Sequence, residues 1–237
     1  MAFVHGKNTT VIVGKFNITG NYNSVSASFN RQTVTTTVFG DDDDTSIAGI
    51  GSGSVALGGL WDNTNLTGSD FLLDSAMDGS QEILSVSVQG LSVIGQRAVL
   101  LNVRQTGYPW RAPGNDAVRL NAAKEADGGI RGGVVLHQHT AETGTGNFTS
   151  VDNTGSTAFG SVGHLHVTAF SGTNAVIKIV DSTDNSVWAD HITFTTATGT
   201  TSQRSSVAGL VNRYARVELT GTFSSITFAV TFARNLQ

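Results

Sequence analysis

The 237-residue chain has no cysteine, two prolines and two methionines, and only 14% of its residues are charged. Without cysteine there is no disulfide framework and no thiolate-ligated zinc or iron–sulfur site. No stretch approaches the roughly 18 consecutive apolar residues of a membrane-spanning helix. The first residues, MAFVHGKNTT, lack the charged start and apolar stretch of a Sec-type signal. A net charge of −4 offers no basic footprint for gripping phosphates. The chain is 39% apolar and strongly periodic, which argues against disorder.

What the chain has in abundance is 28 glycines, 30 threonines and 23 serines. Threonine and valine suit pleated, half-buried surfaces, and glycine supplies turns. The expectation is therefore an all-β protein. Strands are expected over 11–16, 24–29, 32–40, 54–60, 82–90, 97–107, 117–122 and 133–139. One short helix is expected in SDFLLDSAMD, residues 69–78, capped by Ser69 or Asp70 and stopped by Gly79. Its apolar stripe would be Phe71, Leu72, Ala76 and Met77. A weaker helix signal covers Asn121–Ala126. Residues 108–116, YPWRAPGND, hold both prolines and must form a loop or a sheet edge.

Residues 141–163 mark a shift to Gly, Thr, Ser and Asn with little apolar periodicity. The expected division is 1–142 and 143–237. The second part alternates cleanly: Leu165, Val167 and Ala169; Ile177 and Ile179; Trp188, Ile192 and Phe194; Ala215, Val217 and Leu219; Ile226, Phe228, Val230 and Phe232. Ser171-Gly172, Thr183-Asp184-Asn185 and Gly221 read as turns between short strands. Together these features predict an antiparallel β-sandwich of about 90 residues.

Four groups of residues invite a chemical reading. Asp41, Asp42, Asp43 and Asp44 are consecutive, unlike the spaced oxygens of a calcium loop. They read as a solvated acidic loop or as a surface that repels phosphate. His137 and His139, and His164 and His166, are two apart, so on a strand each pair shares a face and could bind one metal. With Glu142 nearby, GGVVLHQHTAE loosely resembles the first cupin motif, but the second cupin motif is missing. The plainer reading puts His164 and His166 on an outward face, opposite Leu165 and Val167. GIGSGS, residues 49–54, lacks the Lys of a phosphate loop and reads as a flexible turn. Trp61, Trp110 and Trp188 could form a sugar-stacking platform. Trp188 falls on the inward face of its strand, and Trp110, in the proline loop, is the best exposed contact. No G-x-S-x-G elbow, catalytic cysteine or cofactor motif is present.

The segment from SVSASF through TVTTTVFGDDDDTSIAGIGSGSVALGGLWD to SDFLLDSAMD, residues 24–78, resembles the major tail tube proteins of long-tailed (siphovirus-type) bacteriophages. The likeness covers about residues 1–140, and the remainder resembles sandwich domains appended to phage tail and capsid proteins. The resemblance implies a tail-tube β-sandwich or barrel plus a C-terminal antiparallel β-sandwich, and a structural protein without catalysis or cofactor. It implies hexameric rings stacked into a tube around a tape-measure protein, bounded by terminator or tip proteins. DNA would pass through without specific binding, in a virion assembled in the host cytoplasm and not inserted in a membrane. Asp41 to Asp44 and Trp110 become candidates for the lumen or for subunit contacts, with 40–54 and 108–116 as assembly loops. A capsid decoration protein, a carbohydrate-binding adhesin and a cupin-like metalloprotein are the alternatives.

Overall fold

The computed structural model describes residues 6–40, 42–64 and 68–235. In chain order the elements are β1 (Thr10–Val13), β2 (Phe16–Asn17), β3 (Tyr22–Thr35), β4 (Ser46–Leu60), α1 (Ser69–Ser75), β5 (Gln81–Ser87), β6 (Arg97–Gly107) and β7 (Trp110–Arg111). They continue with β8 (Arg119–Glu142), β9 (Gly146–Asn147), β10 (Val151–Asp152), β11 (Ser161–Ser182), β12 (Ala189–Thr193), β13 (Thr201–Val207) and β14 (Tyr214–Arg234). The fold is all-β with one short helix, as the composition implied. No helix among the described residues is long and apolar enough to cross a membrane. The weak helix signal at 121–126 is overturned, because those residues lie inside β8, opposite β4. GIGSGS, expected as a turn, lies inside β4.

The chain forms two compact units. One comprises Met1–Gly20, Ile83–Leu101 and Arg131–Gln237, and the other Asn21–Glu82 and Asn102–Ile130. The expected boundary near 142 falls inside the first unit. There β14 lies beside β8, with Ile226 opposite Glu142 and Phe232 opposite Val134. Ala229 and Ala233 of β14 share a core with Ile12, Leu91, Ala98 and Leu100. A cut at residue 142 would strip this core of its cover.

The centre of the first unit is the β11–β14 ladder. It runs without a break in pairing direction from Ser161 opposite Arg234 to Ser182 opposite Tyr214. Ser171-Gly172, expected as a turn, is instead a register shift within this ribbon, and Gly221, also expected as a turn, pairs in it opposite Ala175. Gly172 has φ 155° and Gly221 has φ 133°. A Cβ on Gly172 would lie 2.4 Å from Phe223 Cα, and one on Gly221 would lie 2.5 Å from the Asn174 carbonyl oxygen. Only glycine allows both the backbone conformation and this close approach.

The bend has a packing cause. On β11, Leu165, Val167, Ala175, Ile177 and Ile179 line one apolar face, and β14 continues it with Val217, Leu219, Phe228 and Phe232. A ribbon with one long apolar face buries that face by folding it onto itself. The fold-over is direct: a Cβ on Gly163 would lie 2.7 Å from Ile179 Cδ1 and 3.1 Å from Phe194 Cζ. The alternation read from the sequence is thus largely the real core, with two exceptions. A register shift between Val167 and Ala169 leaves Ala169 exposed. Trp188 lies outside β12, half-buried beneath the Arg216 guanidinium 4.1 Å from its ring centroid.

In the second unit β3 pairs with β4 from Tyr22 opposite Gly59 to Thr35 opposite Ser46, and β4 pairs with β8. Val55, Leu57, Val103, Leu120 and Ala122 are buried. Helix α1 buries Ser69 and Leu73, while Phe71 and the following Met77 are exposed, so the expected stripe is corrected to Ser69, Leu73 and Ala76. Its N-cap is Gly68, with no side-chain cap. Ser69 instead donates to the Leu60 carbonyl and accepts from the Asp62 N–H. Asp70 accepts from Trp61 Nε1 at 2.9 Å and from the Tyr108 hydroxyl. Gly79, at φ 83°, ends the helical segment as expected.

Replacing Gly163 with valine is expected to force Ile179 and Phe194 apart and to lower stability by about 1–3 kcal/mol. Urea unfolding of the purified variant against the parent checks this, and an unchanged midpoint would contradict the folded-ribbon packing.

Candidate functional site

Among the described residues no three His, Asp or Glu side chains converge as a metal ion would require. On β8 the register shifts beside Val230. His137 stacks on Phe228 at 3.9 Å and meets Glu142 at 3.4 Å, whereas His139 reaches Thr168 at 2.9 Å and Asn17 at 3.4 Å. Burial pushes the His137 imidazole down to about 4.

His164 and His166 are 1% and 0% exposed, which overturns the outward-facing reading. They lie on the β11 face opposite the apolar one, and a second layer covers that face. His166 Nδ1 lies 2.7 Å from the Gly14 carbonyl, which only accepts, so Nδ1 carries the proton. Nε2 then accepts from the Ser85 hydroxyl at 2.8 Å, and Ser85 also meets Thr231 at 3.0 Å. Desolvation holds His166 at about 4. Burial first, then repulsion between the two imidazoles were both to be protonated and the Arg204 charge, hold His164 well below the usual imidazole range. The group is a neutral hydrogen-bonded clamp between layers. Its residues, from β5, β11 and β14, are remote in sequence, so spacing alone did not reveal it.

A second buried cluster aligns Ser161, His191 and Asp181. Ser161 Oγ lies 2.6 Å from His191 Nε2, and His191 Nδ1 lies 3.4 Å from Asp181 Oδ2. The Asn212 backbone N–H and side-chain amide hold Asp181 at 2.8 and 3.0 Å. The order is that of a nucleophile, base and carboxylate, but Ser161 is fully buried. In this conformation its hydroxyl is closed to substrate, and the cluster ties β12 to the folded ribbon.

In the second unit Lys124, 1% exposed, meets Glu82 and donates to Gln105 Oε1 at 2.9 Å. Gln105 in turn donates to the Leu73 carbonyl of α1 at 2.5 Å. Burial first, then the Glu82 charge, raises the pKa of Tyr22. These groups anchor the helix.

The accessible candidate is the β3–β4 ribbon. None of the described residues from 22 to 54 is buried. Past Gly53, whose Cβ position meets Ile130, the glycines of β4 meet only β3: Gly51 faces Asn30, and Gly49 faces Gln32. The ribbon exposes Phe29, Val34, Ile47, Ile50 at 80% and Phe39 at 109%. Its tip carries Asp42, Asp43 and Asp44, all exposed, with Thr37 donating to Asp44 at 3.2 Å. Asp41 lies outside the described residues. Trp110, 62% exposed, is in β7 opposite Leu120. Trp61 donates to Asp70, and Trp188 lies under Arg216.

No protein-family model matches the sequence, and neither does any curated protein. Several solved structures are similar at low identity. A chain from the tail of an empty gene transfer agent particle, with C6 symmetry, is 17% identical, with a TM-score of 0.42. That match covers 53% of this chain and 96% of the other. The SPP1 tail tube is 8% identical, covering 55% of this chain and 78% of its own, with a TM-score of 0.45. SPP1 Dit, described as a hub adsorption apparatus in phages infecting Gram-positive hosts, is 14% identical over 96% of this chain and 99% of its own, with a TM-score of 0.39.

The buried imidazoles set a pH dependence. Their folded pKa values lie below the ordinary 6.5, so the unfolded chain takes up protons first as pH falls. Stability is therefore complete above about pH 6.5 and is lost on acidification toward 4, by roughly 2 kcal/mol at pH 5 for each such histidine. Urea midpoints at pH 7 and pH 5 should show the loss. His166→Gln, less stable at pH 7, should show a shallower pH dependence.

Proposed function

We propose that this chain is a structural subunit of a bacteriophage tail, assembling as hexameric rings that stack into the tail tube. The observation that carries the reading is the β3–β4 ribbon. A two-stranded hairpin alone is marginal in water, and this one leaves large apolar side chains uncovered. Such a surface is the expected signature of a contact completed by another subunit. Strand β3 also pairs only with β4 among the described residues, so its other edge is open to a neighbour's strand. Joining such edges around a ring would close a continuous inner barrel. The resemblance of residues 24–78 to tail tube proteins points the same way.

In this reading Asp41 to Asp44 and Trp110 contribute to the lumen or to subunit contacts, and acidic side chains keep passing DNA from sticking. The sandwich part, 143–237, faces the outside of the tube. A tape-measure protein fills the lumen before DNA, terminator and tip proteins close the ends, and assembly occurs in the host cytoplasm.

Negative-stain microscopy of the concentrated protein should show hexameric rings and tubes. Gold label attached at the exposed turn around Asn185 should decorate their outer surface. Monomers or trimers would favour a decoration protein, and rings that never stack would remove the tube from the reading.

A further inference from the structure

Lys124 stands in an apolar row. On β8 the buried Leu120, Ala122 and Lys124 alternate with exposed neighbours, so the lysine side chain enters the core face of the second unit. Gln105 does the same on the adjacent β6, two residues beyond the buried Val103. Polar groups at such positions carry a desolvation cost that apolar ones would not. Together with Glu82 of β5 they also form the parts of an amide exchange. Lys124 Nζ donates to Gln105 Oε1 at 2.9 Å and contacts the Glu82 carboxylate. The orientation of the Gln105 amide is unambiguous, because Nζ can only donate and the Leu73 carbonyl can only accept. Oε1 therefore faces the lysine, and Nε2 lies 2.5 Å from the Leu73 carbonyl. With a C=O bond of about 1.23 Å, Nζ is at most about 4.1 Å from Gln105 Cδ. That is a small side-chain rotation from the roughly 3–3.5 Å at which a held nucleophile attacks.

We propose that Lys124 and Gln105 condense into an isopeptide cross-link between β8 and β6, with Glu82 carrying the protons. The Glu82 carboxylate takes a proton from the Lys124 ammonium, and the free amine adds to Gln105 Cδ. Glu82 passes its proton to Nε2 and takes the surplus one from Nζ. The Nζ–Cδ bond forms, the Cδ–Nε2 bond breaks, and ammonia leaves with Glu82 protonated. The exchange needs no oxidant, reductant or second molecule. Lys124 is 1% exposed, so water is kept from competing with the amine, while the side chain of Glu82, 20% exposed, reaches the rim where ammonia can depart. A neutral amide then replaces a buried ammonium. The bond also has a structural use: Lys124 lies opposite Val55 of β4, at the base of the uncovered β3–β4 ribbon. The inference goes beyond the tail reading and does not depend on it.

The test is the intact mass of the purified, folded full-length protein after prolonged incubation. The parent should be lighter than its sequence requires by one ammonia. Trypsin should then release residues 105–111 joined to residues 120–131, with tandem mass spectrometry placing the bond at Gln105 and Lys124. Lys124→Met, Gln105→Leu and Glu82→Gln should each keep the full sequence mass, and so should parent protein held in urea, where the three groups are apart. A folded parent that keeps its full mass overturns the proposal by itself, whether or not the variants fold, and leaves a hydrogen-bonded ion pair and the tail reading in place. An ammonia loss that maps to another residue, such as an asparagine, overturns it as well. A folded Glu82→Gln variant that links to the parental extent overturns the role of Glu82 as proton carrier.

Discussion

The fold-over of the β11–β14 ribbon is the constraint on which the first unit depends. One long antiparallel ladder carries apolar residues along a single face, and water drives that face to close on itself. Gly172 and Gly221 make the closure possible, because each takes a backbone conformation and a strand approach that a side chain would block. Once folded, the ribbon presents its N-terminal half of β11 as a middle layer. Leu165 and Val167 face the sandwich core, and His164 and His166 face the layer that includes β1 and β5. That second face is polar, so its hydrogen bonds must be complete. The Gly14 carbonyl, Ser85 and Thr231 provide most of them.

The second unit follows a different logic. Its core is anchored through buried polar links, Lys124 to Glu82 and Gln105, and Asp70 to Trp61 and Tyr108. Its long ribbon is left without a core of its own. The contrast separates buried polar residues that serve the subunit from exposed apolar residues that have no use within it. Phe29, Ile50 and Phe39 are large apolar side chains left exposed, the surface on which the proposed assembly rests. The two histidine clusters, by contrast, are buried and hydrogen-bonded within the first unit.

Much of this was legible beforehand. Alternation named Ile177, Ile179, Val217, Leu219, Phe228 and Phe232 as core, and all are buried. Gly79 was legible as a stop, and the strand at 97–107 has the expected limits. Trp110 was legible as exposed. The failures share a cause. Gly172, Gly221 and GIGSGS carry the same local turn signal as real turns, yet all lie within strands, because cross-strand pairing overrode it. In α1 and the turn after it, stripe counting chose Phe71 and Met77, but Leu73 and Ala76 are the apolar residues that are buried. The histidine clamp was invisible because Gly14, Ser85, His166 and Thr231 are remote in sequence.

By itself, then, the sequence determined that the chain is all-β with one helix, lacks thiol chemistry, and carries an acidic loop between two β-rich stretches. Residue alternation specifies which side chains share a face, since successive side chains on a strand point oppositely. Whether the opposite face meets water or another layer depends on residues far away in the chain. Only the tertiary structure decided that His164 and His166 are buried, that the two C-terminal halves form one folded ribbon, and that the β3–β4 arm stands uncovered.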